Sequence, residues 1–229
     1  MLNKISVAIC VVLTSALLSF SMLAKAPISV NGTGLKIGLL KYNGGGDWYS
    51  IVDALQNLVK FCNQNLNMSM NIDYATVDVG SADVFNYPFL FMTGHGNVVM
   101  SNQEMENLRT YMMAGGFIFI DDDYGMDPYV RPILNKILPE GEMKEIPFNH
   151  PIFHQKYDFP NGFPKVHEHD KKAPLTYGLF YQGRLVCVYA TESNISDGWE
   201  SPEVHNDTEA ARVQSLRLGA NIIKYAFTQ

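Results

Sequence analysis

The sequence predicts a single α/β domain built on a mainly parallel sheet with helices on both faces. Three observations carry this prediction. Short apolar runs at residues 35–40, 87–92 and 117–120 suit buried strands, and each is followed by apolar residues at helical spacing. Such alternation implies parallel pairing, because a crossover between parallel strands has room for a helix. Hydrophobic residues make up 47% of the chain and charged residues only 17%, which excludes a disordered chain and leaves ample mass for a core.

Taken in order, residues 1–26 carry Lys4, an apolar stretch from Ile5 to Leu23, and Ala24-Lys25-Ala26, the parts of a secretory signal. Pro27 fits a signal peptidase poorly and the stretch nearly spans a bilayer, so an uncleaved anchor is the alternative. Either way the body, residues 27–229, is expected outside the cytoplasm, periplasmic or secreted. After the first strand come Gly44-Gly45-Gly46 and Asp47. Ile51, Val52, Leu55, Leu58, Val59 and Cys62 then form one helical face, with Asp47 or Ser50 expected as its cap. An extended run at 72–79 leads to the strand 87–92, which ends at Thr93-Gly94-His95-Gly96. Ser101 and Glu104 make a capping box ahead of Met105, Leu108 and Met112, and Gly115-Gly116 stops that helix. The strand 117–120 runs into Asp121-Asp122-Asp123. Asp127-Pro128 reads as a cap and first turn for Val130, Ile133, Leu134 and Ile137, with Pro132 blurring the start.

Residues 139–174 hold six of the 11 prolines and four of the six histidines, with little periodicity. A long irregular segment in a compact domain is usually functional. Phe148, Phe153, Tyr157, Phe159 and Phe163 give it apolar area with which to dock over or beside the site. Residues 175–181 and 184–190 flank Gln182-Gly183 and predict a hairpin, placed antiparallel at one edge of the sheet. Val213, Leu216, Ala220, Ile223 and Phe227 mark a closing helix. The layout is a flavodoxin-like three-layer sandwich. Cys10 lies in the leader, while Cys62 and Cys187 sit in apolar surroundings and are expected as buried free thiols.

The chain has 17 basic and 23 acidic residues, for a net charge of −6 and no Lys/Arg run. No nucleic acid is therefore expected as a partner, and no membrane contact beyond the N-terminal segment. In open α/β sheets ligands bind outside the carboxyl ends of the strands. Four loops there would bring together Gly45, Asp47 and Trp48; Thr93, Gly94, His95 and Gly96; Asp121 and Asp122; and Asp197 and Trp199. His95, Asp121 and Asp122 are the candidate catalytic groups, and the others candidate ligand contacts. Gly44–Gly46 lacks the Lys-Ser/Thr of a phosphate loop and the spacing of a dinucleotide fingerprint, so it names no cofactor. Asp123 is expected in solvent, and the two tryptophans serve equally well as core or as stacking platforms. Clustered carboxylates keep a proton or recruit a cation. Helix N-termini at Asp47 and after Asp123 are the preferred neutralisers, so no metal ligand is assigned. His150-Pro151-Ile152-Phe153-His154 is broken by proline as a zinc helix. His167 and His169, beside Glu168 and Asp170, suit a solvated loop better than a metal.

Several blocks closely resemble the bacterial family catalogued as domain of unknown function 4159. They include residues 41–49 (KYNGGGDWY), 87–96 (YPFLFMTGHG), Leu108-Arg109-Thr110-Tyr111 leading to Gly115-Gly116-Phe117 and Asp121-Asp122, and His150 to His154. Gly183-Arg184-Leu185, Asp197-Gly198-Trp199 and residues 218–222 (LGANI) extend the match over nearly the whole body. The resemblance implies a fold similar to class I glutamine amidotransferases and to trehalose-utilisation (ThuA-like) proteins. Amidotransferases place a cysteine nucleophile where this chain has Asp121-Asp122-Asp123. Without a thiolate there is no thioester route, so glutaminase activity is not expected. ThuA-like proteins place Gly-His where this chain has Gly94-His95.

Two functional readings follow. The preferred one is a non-catalytic envelope module that binds a small molecule, an envelope glycan or an envelope protein at the rim. The alternative is an exported hydrolase-like or sugar-processing enzyme using His95 with Asp121 and Asp122.

Overall fold

The computed structural model describes residues 34–229 apart from 168 and 170. The leader expected at 1–26, and Glu168 and Asp170, lie outside the described residues. In chain order the elements are β1 (Ile37–Lys41), α1 (Ala54–Leu66), β2 (Ala75–Asp78), β3 (Phe89–His95), α2 (Asn102–Met113), β4 (Phe117–Tyr124) and α3 (Asp127–Ile137). There follow β5 (Glu142–Glu145), β6 (Leu175–Tyr181), β7 (Arg184–Thr191), α4 (Pro202–His205) and α5 (Glu209–Thr228). The seven strands form one sheet in the order β2-β1-β3-β4-β7-β6-β5. The first five in that order are parallel, and β6 and β5 extend the sheet antiparallel at one edge.

Strict alternation along the strands explains the three layers. Ile37, Leu39, Phe89, Phe91, Phe117 and Phe119 point to the face covered by α1 and α5. Leu40, Leu90, Met92, Ile118 and Ile120 point to the face covered by α2 and α3. Both faces are buried, so these strands read as continuous apolar runs. The capping box forms as predicted: the Ser101 hydroxyl accepts from Glu104 N at 3.3 Å, and the Glu104 carboxylate accepts from Ser101 N at 2.6 Å. The hairpin turns through Gln182 (φ 49°) and Gly183 (φ 80°), both left-handed, as a two-residue turn matched to strand twist requires.

Four expectations are corrected. Helix α1 begins at Ala54 with Asp53 at its cap position, so neither Asp47 nor Ser50 caps it, and the Asp53 side chain accepts no capping bond from the helix backbone. The Asp53 carboxylate accepts from Ser201 N instead, at 2.9 Å. Strand β4 runs on through all three aspartates, and all are buried. The segment 139–174 is not wholly irregular. It contributes edge strand β5 and a 3₁₀ turn at Pro151–Phe153, and it buries Ile146, Ile152, Phe153, Phe159 and Phe163 on the α1/α5 face with Tyr157 packed alongside. Phe148, however, stays 53% exposed. The buried run of α5 is Leu218 to Ile223 with Ser215, because α1 and the turns at Asp197–Trp199 and Pro151–Phe153 surround the helix there. Pro132 lies inside α3 without ending it. Among the described residues no helix is long and apolar enough to cross a membrane.

Candidate functional site

The site forms where the parallel strands end. The loop after β1 is zipped to the loop after β3: Gly46 N donates to Asn97 O at 3.0 Å, and Val99 N to Asn43 O at 2.7 Å. This presses Asp47 against the end of β3. Its carboxylate accepts from His95 N at 2.5 Å and lies 3.1 Å from His95 Nδ1. Gly94 permits the approach, with φ at +139° and the Tyr42 hydroxyl standing where a Cβ would be. That hydroxyl donates to Thr93 O at 3.1 Å. Burial, followed by the nearby Asp47, Asp122 and Asp123, pushes the phenol far up and keeps it protonated.

With Nδ1 held by Asp47, His95 presents Nε2 to Asp123 Oδ2 at 3.3 Å. A bulge puts Asp123 there. Gly94 pairs with Asp122, but His95 pairs with Tyr124, leaving Asp123 as the extra residue of β4. Asp123 also accepts from Asn194 Nδ2 at 2.6 Å and faces His169 Nε2 at 3.7 Å. His169 arrives on the segment 139–174, which is tied to the loop after β7. Val166 N donates to Ser193 O at 2.9 Å, and the Ser193 hydroxyl to Pro164 O at 2.7 Å. The His169 ring lies 5.8 Å from that of His95 and 4.9 Å from that of His167, which is 5.9 Å from that of His205. His205 Nε2 lies 2.8 Å from Glu200 and 3.7 Å from Asp197. Four imidazoles thus stand in a row, with Asp123 beside one end pair and Asp197 beside the other. The donor atoms of His95, Asp123 and His169 lie within 4.8 Å of one another, as do those of His167, Asp197 and His205.

Asp121 sits behind this row, fully buried. Its Oδ2 accepts from Ser196 N and from the Ser196 hydroxyl, both at 2.7 Å, whereas Oδ1 has no partner. Burial pushes its carboxyl up to about 7; Ser196 opposes the shift, and Asp123 and Asp122 add to it. Burial likewise raises Asp197, helped by Asp123, Asp121, Glu200 and Asp207. Asp122 alternates to the other face of β4. There it accepts from Met126 N at 2.9 Å and from the Tyr189 hydroxyl at 2.7 Å, which ties down the start of α3.

Of the sequence candidates, Asp47, Thr93, Gly94, His95, Gly96, Asp121 and Asp197 lie along this carboxyl edge. Gly45 is exposed, with φ at +92° and open space where a Cβ would be. Trp48 is part-buried, edge-on to Tyr49 at 5.3 Å. Trp199 is no stacking platform. It is fully buried against Phe91 and Phe119, and its Nε1 donates to Ser215 O at 2.9 Å. Asp122 is turned away. Sequence reasoning misses Asp123, which is buried rather than solvated, and His167 and His169, whose i, i+2 spacing was the available signal. It also misses Glu200 and His205, for which nothing local gives a signal.

Neither Cys62 nor Cys187 approaches His95; both are buried and unbridged. Among the described residues no hydroxyl is hydrogen-bonded to the His95 ring; its neighbours there are carboxylates. A search of curated proteins finds no match to the chain. The model of domain of unknown function 4159 (DUF4159) matches residues 36–227, which takes in every strand of the sheet, α1 to α4 and all of α5 but its last residue. The chain belongs to the DUF4159 family.

Proposed function

We propose that this is an exported envelope module that binds a polar ligand at the carboxyl edge of its sheet. The scaffold is flavodoxin-like and amidotransferase-like, without the nucleophilic cysteine; the strand order β2-β1-β3-β4-β7 supports that assignment. One observation carries the reading: His95 is locked between Asp47 and Asp123 by its own backbone, beneath His169 from the docked segment. Polar groups fixed before a ligand arrives lose little entropy on binding it. Carboxylates and imidazoles suit a hydroxyl-rich ligand, so an envelope glycan is the first candidate, ahead of an envelope protein. Binding is preferred to protein-only catalysis because Nε2 of His95 faces a carboxylate, where a base needs a proton donor to activate.

The Asp47–His95 pair favours a second reading, a hydrolase-like or sugar-processing enzyme of the ThuA-like kind. A carboxylate on Nδ1 fixes the tautomer that an acid/base requires. Asp121 would assist, while Asp122 is committed to Met126 and Tyr189. The test is calorimetric titration of the purified protein with envelope oligosaccharides, alongside assays with model esters and glycosides. Saturable binding lost in His95→Ala, without turnover, supports the module. Turnover lost in His95→Ala replaces it with the enzyme, and neither binding nor turnover refutes both. Export rests on Lys4, the apolar stretch and Ala24-Lys25-Ala26. Fractionation of the host cell with N-terminal sequencing tests it, and a cytoplasmic product would overturn it.

A further inference from the structure

We propose that the row of imidazoles holds two first-row transition-metal dications side by side. His95, Asp123 and His169 would bind one, and His167, Asp197 and His205 the other. The inference rests on the reading of this edge as a binding site and names its ligand. Two histidines and a carboxylate are a donor set that such ions take, with positions left open for an outside oxygen ligand. The spacing fits. Donors held tetrahedrally at about 2.1 Å lie about 3.4 Å apart, and the two oxygens of Asp123 divide between the histidines, Oδ2 at 3.3 Å from His95 Nε2 and Oδ1 at 3.7 Å from His169 Nε2. In the second set, Asp197 lies 3.7 Å from His205 Nε2.

Three further features point the same way. Asp47 on Nδ1 of His95 leaves Nε2 as the outward donor, the orientation a carboxylate–histidine–metal relay uses. Glu200, only 2% exposed, lies 2.8 Å from His205 Nε2, the nitrogen that faces Asp197, and so adds a buried carboxylate oxygen to the second set. Independently, Asp121, two residues before Asp123, leaves a fully buried Oδ1 without a partner, an acceptor that a cation nearby would stabilise. Among the described residues, the ion pairs made by Asp47, Asp123, Asp197 and Glu200 are to histidines.

The experiment uses the full chain, stripped with a chelator and then titrated with zinc alone. Bound metal is read by elemental analysis after dialysis, and cobalt is substituted as a spectroscopic probe. The expected result is about two zinc ions per chain, falling to about one in His169→Ala and to about one in His205→Ala. Both variants should keep the wild-type circular dichroism spectrum, and cobalt should give the visible bands of a low-coordinate histidine site. Asp123→Asn is the second variant for the first set, and Asp197→Asn for the second. Zinc that is not retained, or that is retained equally by all four variants, overturns the proposal. Saturable glycan binding by the stripped protein would leave the module reading standing whatever the zinc result. Zinc binding without any glycan binding would leave this inference standing and remove that reading.

Discussion

His150 is a titratable side chain far from the row of imidazoles that nonetheless ties stability to pH. Its Nδ1 accepts from Ile152 N at 3.2 Å and so caps the turn at Pro151–Phe153, while its ring packs on Phe180 and on Tyr225, a phenol that burial keeps protonated. Burial holds the imidazole below its ordinary value. The folded value is depressed, so the neutral ring's contribution is fully present above the unfolded value of about 6.5. It is lost as pH falls through the folded value. Urea midpoints should therefore decline between pH 7 and 5, and His150→Asn, which keeps an acceptor but cannot titrate, should flatten part of that decline. An unchanged slope in the variant would refute this. At Gly94 the constraint is steric. Gly94→Ala meets the Tyr42 hydroxyl and a left-handed φ together, so a loss of about 1–3 kcal/mol is expected in denaturant melts, with the Asp47–His95 contact displaced in the imidazole NMR signals. Residues of this kind differ in how far sequence exposes them. His95 was legible because a histidine between glycines at a strand mouth has few structural uses. Asp123 was not, because three identical neighbours read alike, and the bulge that selects one of them depends on pairing with β3.

Elements announced by local chemistry appeared where expected: the capping box of α2, the left-handed turn between β6 and β7, and the apolar runs of β3 and β4. Those made by tertiary contact did not. Strand β5 carries Glu142, Lys144 and Glu145, a pattern no periodicity rule selects, and it is a strand because β6 offers a free edge. Its charges also discourage further strands from adding there. The segment that follows docks through its aromatics. Phe153 is fully buried against Phe163 and the α1/α5 face, so Phe153→Ala should cost about 3–5 kcal/mol in equilibrium unfolding. Exposed Phe148 is the internal control, and Phe148→Ala should shift stability by no more than about 0.5 kcal/mol. Equal effects at the two positions would mean that the segment is not docked in this way. Helix α4 and its His205 sat in a stretch too short for any helical period to register.

Across the whole molecule, the parallel block and its antiparallel edge followed from the order of apolar runs, although β7 joins β4 only after α3, β5 and β6. Which face each residue takes followed from alternation, and this separates the two thiols. Cys62 lies in the core under α1 and α5, Cys187 in the core under α2 and α3, on opposite sides of the sheet. Burial raises both, Cys62 to about 12 and Cys187 further. Neither thiol should react with a chromogenic disulfide reagent in the native protein, even after oxidative storage. Both should react in denaturant, with Cys10 added wherever residues 1–26 are present. A native disulfide would contradict the fold. The sheet order carries a final consequence for biogenesis. Strand β7 pairs with β4 but is made some sixty residues later, after β5 and β6. Until it emerges, the backbone of Ile118 to Asp121 lacks its neighbour on that side. A partly synthesised chain therefore presents an open, apolar strand in its middle, attractive to chaperones and to other nascent copies alike. Ribosome stalling or proteolysis before residue 184 should thus yield aggregates, because the missing strand belongs inside the sheet, between β4 and β6.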